Sequence, residues 1–344
     1  MIFENSFEFG FDNLPDSLEQ ALKVGGDFFP KAAIRARFSL EILLRKSLKS
    51  RADKTAWGFS HLAKGYPVEF TFKPDQKGIQ YTTDIAGPEM SPNKVLPYAL
   101  ELLSELGASR LNEENRLFFE IVQQQGELLY GCWIGGRHSS EGDEYKLYIE
   151  IPEASGEMAM KWLRKYTPFD IDFHNNSIND HCGIKLEMIG YSLRTKSIEC
   201  YFSVKDLAPW EIDKILKPIH LEGQREYLID LLQSGYSGVI YRKFPSKEMG
   251  FSYSFSPSKN NSVFSLYTFA SSMFGGDMRV RDSILALCLK KNWNMDFYEK
   301  FTQTFADNKS DTHTHGLFGI ALDQFDNTTI YTGLRPTETA ICKK

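Results

Sequence analysis

The sequence is poor in the features that announce most common functions. It has five cysteines among 344 residues, at positions 132, 182, 200, 288 and 342, with no CxxC pair and no regular spacing. They read as reduced thiols of a cytoplasmic protein rather than a disulfide framework or a metal site. There is no basic excess: 40 Lys and Arg stand against 45 Asp and Glu, for a net charge of −5. A chain that neutralises phosphate backbones usually carries the opposite balance, so nucleic acid is excluded as the main partner. No stretch approaches the roughly 18–20 apolar residues that cross a bilayer. The acidic start, MIFENSFEFGFDN, lacks a basic segment followed by an apolar run and is not read as a signal peptide. No GxGxxG follows a strand and no P-loop is present, so a nucleotide-binding doubly wound sheet is not expected. No Ser–His–Asp or Cys–His nucleophile arrangement is legible.

What the sequence does have is aromatic surface and rhythm. Aromatics make up 14% of it, with 26 Phe and 16 Tyr, in an otherwise ordinary globular composition of 42% hydrophobic and 25% charged residues. Phe and Tyr favour strands, and they also wall apolar or π-rich pockets. Helical spacing opens the chain: DSLEQALKVG, closed by Gly25-Gly26, and then KAAIRARFSLEILLRKSLK over 31–49. The period then falls to two. PVEFTFK (67–73) and GIQYTTDI (78–85) form a first hairpin, and the pattern recurs at 127–135 with 145–151, 183–192 with 197–204, 250–256 with 262–270, and 315–322 with 328–334. Helical segments at 93–107, 112–125, 157–166, 277–291 and 295–305, with PWEIDKILKPI and REYLIDLLQSGY, fill the intervals.

The strands alternate apolar and polar residues, which marks antiparallel strands with two different faces. Adjacent strands are too close in sequence for parallel crossovers. Ten antiparallel strands in an open sheet would leave two exposed edges, and closure removes both. The expected fold is therefore α+β: one domain over 1–344, with a helical N-terminal segment (1–60), a closed ten-stranded antiparallel barrel of five repeated αββα units (67–336) coated by helices, and a short tail (337–344). A barrel of ten strands is wide enough for its lumen to hold a ligand.

Residues two apart share a strand face. Lys146 and Tyr148 therefore project together, as do Lys185 and Glu187, and Glu199, Tyr201 and Ser203. Tyr253 aligns with Phe251 and Phe255, Tyr267 with Ser265 and Phe269, and Tyr331 with Thr329. Glu69 stands alone among apolar neighbours. Single Lys and Tyr residues are ordinary on half-exposed strands, so the recurrence across hairpins is what carries weight. Cations and Tyr hydroxyls converging in a lumen suit an anionic ligand such as a diphosphate. Aromatic faces suit a carbocation. A single desolvated carboxylate suits a general base.

With these motifs the chain resembles the ABBA-type aromatic prenyltransferases, which are built on repeated αββα units. PVEFTF (67–72) is similar to the segment of the indole (dimethylallyltryptophan-synthase-like) branch that engages the acceptor N–H, with Glu69 in the acidic place. YKLYIEIP (145–152) is similar to its Lys-x-Tyr strand and IKLEM (184–188) to a second basic strand. IECYF, SLYTF (265–269) and TIYTGLRP (329–336) are similar to its shielding-tyrosine strands. The resemblance implies a transferase of isoprenoid groups from a prenyl diphosphate to an aromatic small molecule or peptide. It places Glu69 as catalytic base, Lys146 and Lys185 on the diphosphate, and Tyr148, Tyr201, Tyr267 and Tyr331 around the allyl cation; Arg137, beside the second hairpin, and Gln80, in the first, are added as diphosphate candidates, and Tyr253, from its strand face, as a cation-shielding one. It requires no cofactor, with Mg²⁺ optional, since the DDxxD motif of helical prenyl synthases is absent. A barrel that only binds a hydrophobic ligand or peptide is the alternative. The chain departs from the family where Gln80 replaces an Arg, where Glu187 follows Lys185, and where no Lys precedes Tyr267, so its basic set is thin.

Two polar clusters remain. Asp172, His174, Asp180 and His181 match no standard ligand spacing and read as a loop. His313 and His315 share a strand face but lack a visible third ligand.

Overall fold

The computed structural model describes residues 14–49, 60–62, 65–168, 171, 183–236, 238–240, 242–258, 261–306, 313–325 and 327–336. The five expected hairpins are present. Their strands are β1 (Val68–Phe72) and β2 (Gly78–Thr83), β3 (Cys132–Ser139) and β4 (Gly142–Glu150), β5 (Lys185–Ser192) and β6 (Ile198–Lys205), β7 (Glu248–Ser256) and β8 (Asn261–Phe269), and β9 (His315–Asp323) and β10 (Thr328–Leu334). Every strand pairs antiparallel with its neighbours in sequence. β1 pairs with β10, which closes a ten-stranded barrel.

Helices run between and before the hairpins: α1 (Asp16–Phe28), α2 (Pro30–Leu43), α3 (Arg45–Lys49), α4 (Val95–Glu105), α5 (Glu113–Gln123), α6 (Gly156–Tyr166), α7 (Ile212–Leu216), α8 (Arg225–Gly235), α9 (Ala270–Phe274), α10 (Asp277–Lys291) and α11 (Asp296–Phe301). α2 lies on β2 and β3, α4 on β3 and β4, and α9 on β8 and β9. The hydrophobic core therefore sits outside the barrel, between sheet and helices. Phe70 and Phe72 of β1 meet Phe297, Tyr298 and Phe301 of α11. Cys132, Cys200 and Cys288 are free thiols buried in this layer.

Among the boundaries that differ from the sequence expectation, three have a local reason. α1 runs through Gly25-Gly26 instead of ending there, because the bare Gly25 lets the helix close on β2; a Cβ at Gly25 would fall 2.7 Å from the Ile79 side chain. The helix over 31–49 is two helices, broken at Leu44. β3 begins at Cys132 rather than 127 and continues through Gly135 to Ser139, so Arg137 sits on a strand and not in a turn. The Glu150 carboxylate holds the preceding segment as a loop, accepting the backbone N–H groups of Leu129, Tyr130 and Gly131 at 2.8, 2.8 and 2.7 Å.

Two Asp–His–Tyr chains brace the outer layer. His138 bridges Asp143 (2.8 Å) and Tyr81 (3.1 Å). His315 bridges Asp277 (2.7 Å) and Tyr298 (2.9 Å), and Asp277 also accepts the backbone N–H groups of Thr314 and His315. Burial lowers the pKa of both imidazoles and keeps them neutral. His315 is thus a structural group. The Asp172–His181 loop and the tail 337–344 lie outside the described residues. Among those described, no helix is long and apolar enough to cross a membrane, and no cluster of three or more His, Cys, Asp or Glu could hold a metal.

Candidate active site

Strand alternation sorts the wall into two faces. In β7, Phe251 and Tyr253 are wholly buried against Phe202 and Phe264 in the outer layer, and the Tyr253 hydroxyl donates to the Ile215 carbonyl at 2.5 Å. Tyr253 therefore belongs to the core, not to the lumen where the strand-face reading put it. The aromatics of FSYSF face the helices, and its small residues face inward. An alternation of aromatic and serine does not say which face is the core.

The other four tyrosines share one wall. Tyr148 and Tyr201 have ring centroids 5.9 Å apart, and Tyr201 and Tyr267 6.4 Å apart. The Tyr331 hydroxyl lies close enough to Tyr267, Tyr148 and Glu199 to feel their charge. Burial pushes the hydroxyls of Tyr201, Tyr267 and Tyr331 well above the ordinary tyrosine value, so they stay neutral donors. Each ring packs against a glycine of a neighbouring strand, and at Gly190 the Lys146 side chain packs closer still. A Cβ would fall 2.8 Å from Tyr148 if built at Gly135, 3.1 Å from Tyr201 at Gly190, 2.0 Å from Tyr267 at Gly250, and 2.3 Å from Tyr331 at Gly319. These glycines give the rings room against the wall and keep the lumen wide, the pairing of aromatic and glycine seen in designed sheets. The four tyrosines come from β4, β6, β8 and β10, the second strand of each of the last four hairpins.

Lys146 lies among these rings. Its ammonium is 4.9 Å from the Tyr148 ring centroid and 5.2 Å from that of Tyr201, and it donates to the Tyr201 hydroxyl at 2.8 Å. It also contacts the Glu199 carboxylate at 2.5 Å. Burial opposes the charge on both partners, and their mutual attraction more than offsets it. The Lys146 pKa is therefore raised and that of Glu199 lowered. Ser252 donates to the other Glu199 oxygen at 2.6 Å.

Glu69 lies on the same register row as Lys146. The row runs Glu69, Thr82, Gly135, Lys146 across β1 to β4, about 14 Å along the wall at three strand spacings. Only a threonine and a glycine stand between the two, so the floor there is low. The Glu69 carboxylate rests over Gly316 and Gly333, where an added Cβ would fall 1.8 and 2.1 Å from its oxygens. No hydrogen bond or ion pair reaches it from the described residues, and desolvation alone pushes its pKa up to about 7.

The expected diphosphate residues separate into two groups. Gln80, Arg137 and Glu144 face one another across β2, β3 and β4, and Arg137 is diagonal to Lys146. Lys185 opens β5 at the other rim, where its neighbours are Glu187 (3.4 Å) and Glu153 (3.9 Å). Lys185 therefore does not join Lys146. Motif spacing also left out Tyr130, stacked on Trp133 with centroids 3.9 Å apart and presented by the Glu150-bound loop. Its signal was the acidic residue ending YKLYIE, which reads as an ordinary surface Glu until the loop is seen around it.

No family model matches the sequence, and no curated protein does. Solved structures do match. A 6-dimethylallyl tryptophan synthase is similar at a TM-score of 0.72 and 14% identity, over 94% of this chain and 96% of that one. A 6-dimethylallyltryptophan synthase from Micromonospora olivasterospora, in complex with DMASPP and Trp, is similar at 0.70 and 14%, over 96% and 99%. A 5-dimethylallyltryptophan synthase from Streptomyces coelicolor is similar at 0.68 and 13%, over 95% and 97%. The chain has the aromatic-prenyltransferase barrel. Within that barrel, Glu69, Lys146 and the four tyrosines share one lumen; Lys185 opens β5 on the register row of Tyr267, away from Lys146, and Tyr253 faces the outer core.

Proposed function

We propose that the protein transfers an isoprenoid group from a prenyl diphosphate such as dimethylallyl diphosphate to an aromatic acceptor. The observation that carries this reading is the row holding Glu69 and Lys146, bordered by Tyr148, Tyr201, Tyr267 and Tyr331. Lys146, with Arg137 and Gln80 beside it, takes the diphosphate. The allylic C–O bond breaks, the electron pair leaves with the diphosphate, and an allyl cation remains among the rings, whose faces stabilise it and whose packing excludes water. The acceptor ring attacks, forming the C–C bond and an arenium cation. Loss of a ring proton then restores aromaticity. Glu69, with a pKa near neutrality, accepts a hydrogen bond from the acceptor N–H or O–H and takes that proton as charge develops; it returns the proton to the heteroatom as the ring proton leaves to solvent, so one proton is released per transfer. No step of this reading passes through a metal.

The acceptor is an indole, a phenol or a peptide aromatic side chain. The related synthase solved with DMASPP and Trp supports the first of these. Labelled dimethylallyl diphosphate incubated with tryptophan, tyrosine or aromatic peptides should give a product heavier by one dimethylallyl group. The absence of any transfer, together with no binding of the diphosphate by calorimetry, would sink the reading. The closed Lys146–Glu199 pair favours the second reading, a barrel that binds a hydrophobic ligand without chemistry. In that case Glu69→Gln would leave ligand affinity nearly unchanged and there would be no turnover to lose.

A further inference from the structure

The second strands of the hairpins repeat one inward-facing pattern, X-x-Tyr: Lys146-Leu-Tyr148, Glu199-Cys-Tyr201, Ser265-Leu-Tyr267 and Thr329-Ile-Tyr331. One X is a cation, one is an anion, and the two are bonded to each other. Their side chains are only 20% and 17% exposed, so the pair is shielded from bulk water. We propose that Glu199 is an internal counter-anion that occupies Lys146 while the donor site is empty, and that the prenyl diphosphate takes Lys146 from it as Glu199 accepts a proton. This rests on the prenyl-transfer reading above and adds to it a gate on donor binding.

Charge in an enclosed space sets the competition for Lys146. Lys146 is the single cation among the four X positions. A diphosphate cannot share it with an ionised carboxylate at hydrogen-bond distance without strong repulsion. Glu199 cannot swing away easily, because Ser252 holds its second oxygen and Tyr201 lies beside it. The groups facing it offer no other cation. They are Glu144 and Tyr148 with Lys146 on β4, Tyr201 on its own strand, Ser252 on β7, Tyr267 on β8 and Tyr331 on β10, while Cys200 lies on the opposite face of the strand. Arg137 approaches Lys146 from β3 only along the diagonal. Protonation is the route that keeps the carboxyl in place. The neutral acid keeps a carbonyl oxygen for Ser252 and gains an O–H to donate to the diphosphate.

The test is calorimetry with dimethylallyl S-thiolodiphosphate, a donor analogue resistant to ionisation, from pH 6.5 to 8.5. Each pH is run in two buffers of different ionisation enthalpy, on wild type and Glu199→Gln. The wild type should take up close to one proton more than the variant, which corrects for titration of the ligand itself. Its affinity should fall about tenfold per pH unit toward pH 8.5 relative to the variant. Glu199→Gln should bind at least tenfold tighter at pH 8. Ser252→Ala keeps the ion pair and guards against a variant that fails to fold. It removes a bond to the charged carboxylate and should tighten binding severalfold at pH 8. Equal proton uptake in wild type and Glu199→Gln, with no tightening in either variant, would overturn the gate while leaving prenyl transfer standing. No binding by any of the three proteins at any pH would overturn both.

Discussion

Replacing Glu69 by Gln separates what this carboxylate costs the fold from what it contributes to chemistry. Its pKa of about 7 in the folded chain lies above the ordinary 4.5. The folded state therefore holds the proton more tightly than the unfolded chain does. The resulting stability is fully present below pH 4.5 and is lost as the pH rises toward 7. The difference of about 2.5 pH units corresponds to about 3 kcal/mol, reduced by whatever water the lumen admits. Glutamine is nearly isosteric and uncharged, and it fits over Gly316 and Gly333 in the same way. Urea unfolding at pH 5, 6, 7 and 8 should show wild type losing about 1–3 kcal/mol across this range relative to Glu69→Gln. The variant should be the more stable protein at pH 8. Turnover should move the opposite way, falling about a hundredfold or more, with the wild-type rate rising through pH 7 as the base ionises. Parallel stability curves for the two proteins would refute the desolvation argument. A variant that keeps full turnover would refute the role as base.

Other consequences follow from the same geometry. Gly250→Ala drives the Tyr267 ring off the wall and into the lumen. It should cost about tenfold or more in turnover and about 1–3 kcal/mol in urea unfolding, and intact turnover would show that the ring position is unimportant. Glu150→Ala releases three backbone N–H groups of the 129–131 loop and should destabilise by about 3 kcal/mol. It should also weaken acceptor binding through Tyr130; unchanged KM would disconnect that loop from the site. His315, neutral through burial, should cost the fold stability as the pH drops below about 6.5, where the unfolded chain gains a proton that the folded chain refuses. In the Glu69→Gln background, melting temperatures at pH 7.5 and 5.5 should reveal this loss, and His315→Asn should reduce it, leaving the share that the likewise buried His138 contributes.

The hairpin count, the closure and the helical coat were legible because period-two alternation in ten short segments admits few arrangements. The shared faces of Lys146 with Tyr148, Glu199 with Tyr201, Ser265 with Tyr267 and Thr329 with Tyr331 were also legible, since residues two apart on a strand project together. Tyr253 was not, because alternation fixes which residues travel together and leaves open which face is buried. The distance of Lys185 from Lys146 was not legible either, because a motif within one strand does not give the register across strands. The glycines beneath the rings act across strands, and no spacing within one strand could display them. The Lys146–Glu199 bond joins residues 53 apart in sequence and needed the paired sheet to appear.

The most direct test of a prenyl-transfer lumen is a crystal structure with dimethylallyl S-thiolodiphosphate and an aromatic acceptor. The diphosphate should lie on Lys146 near Arg137, the dimethylallyl group among Tyr148, Tyr201, Tyr267 and Tyr331, and the acceptor N–H or O–H within hydrogen-bond reach of Glu69. A diphosphate bound at the Lys185 rim, or a lumen that stays free of both ligands at saturating concentrations, would contradict it.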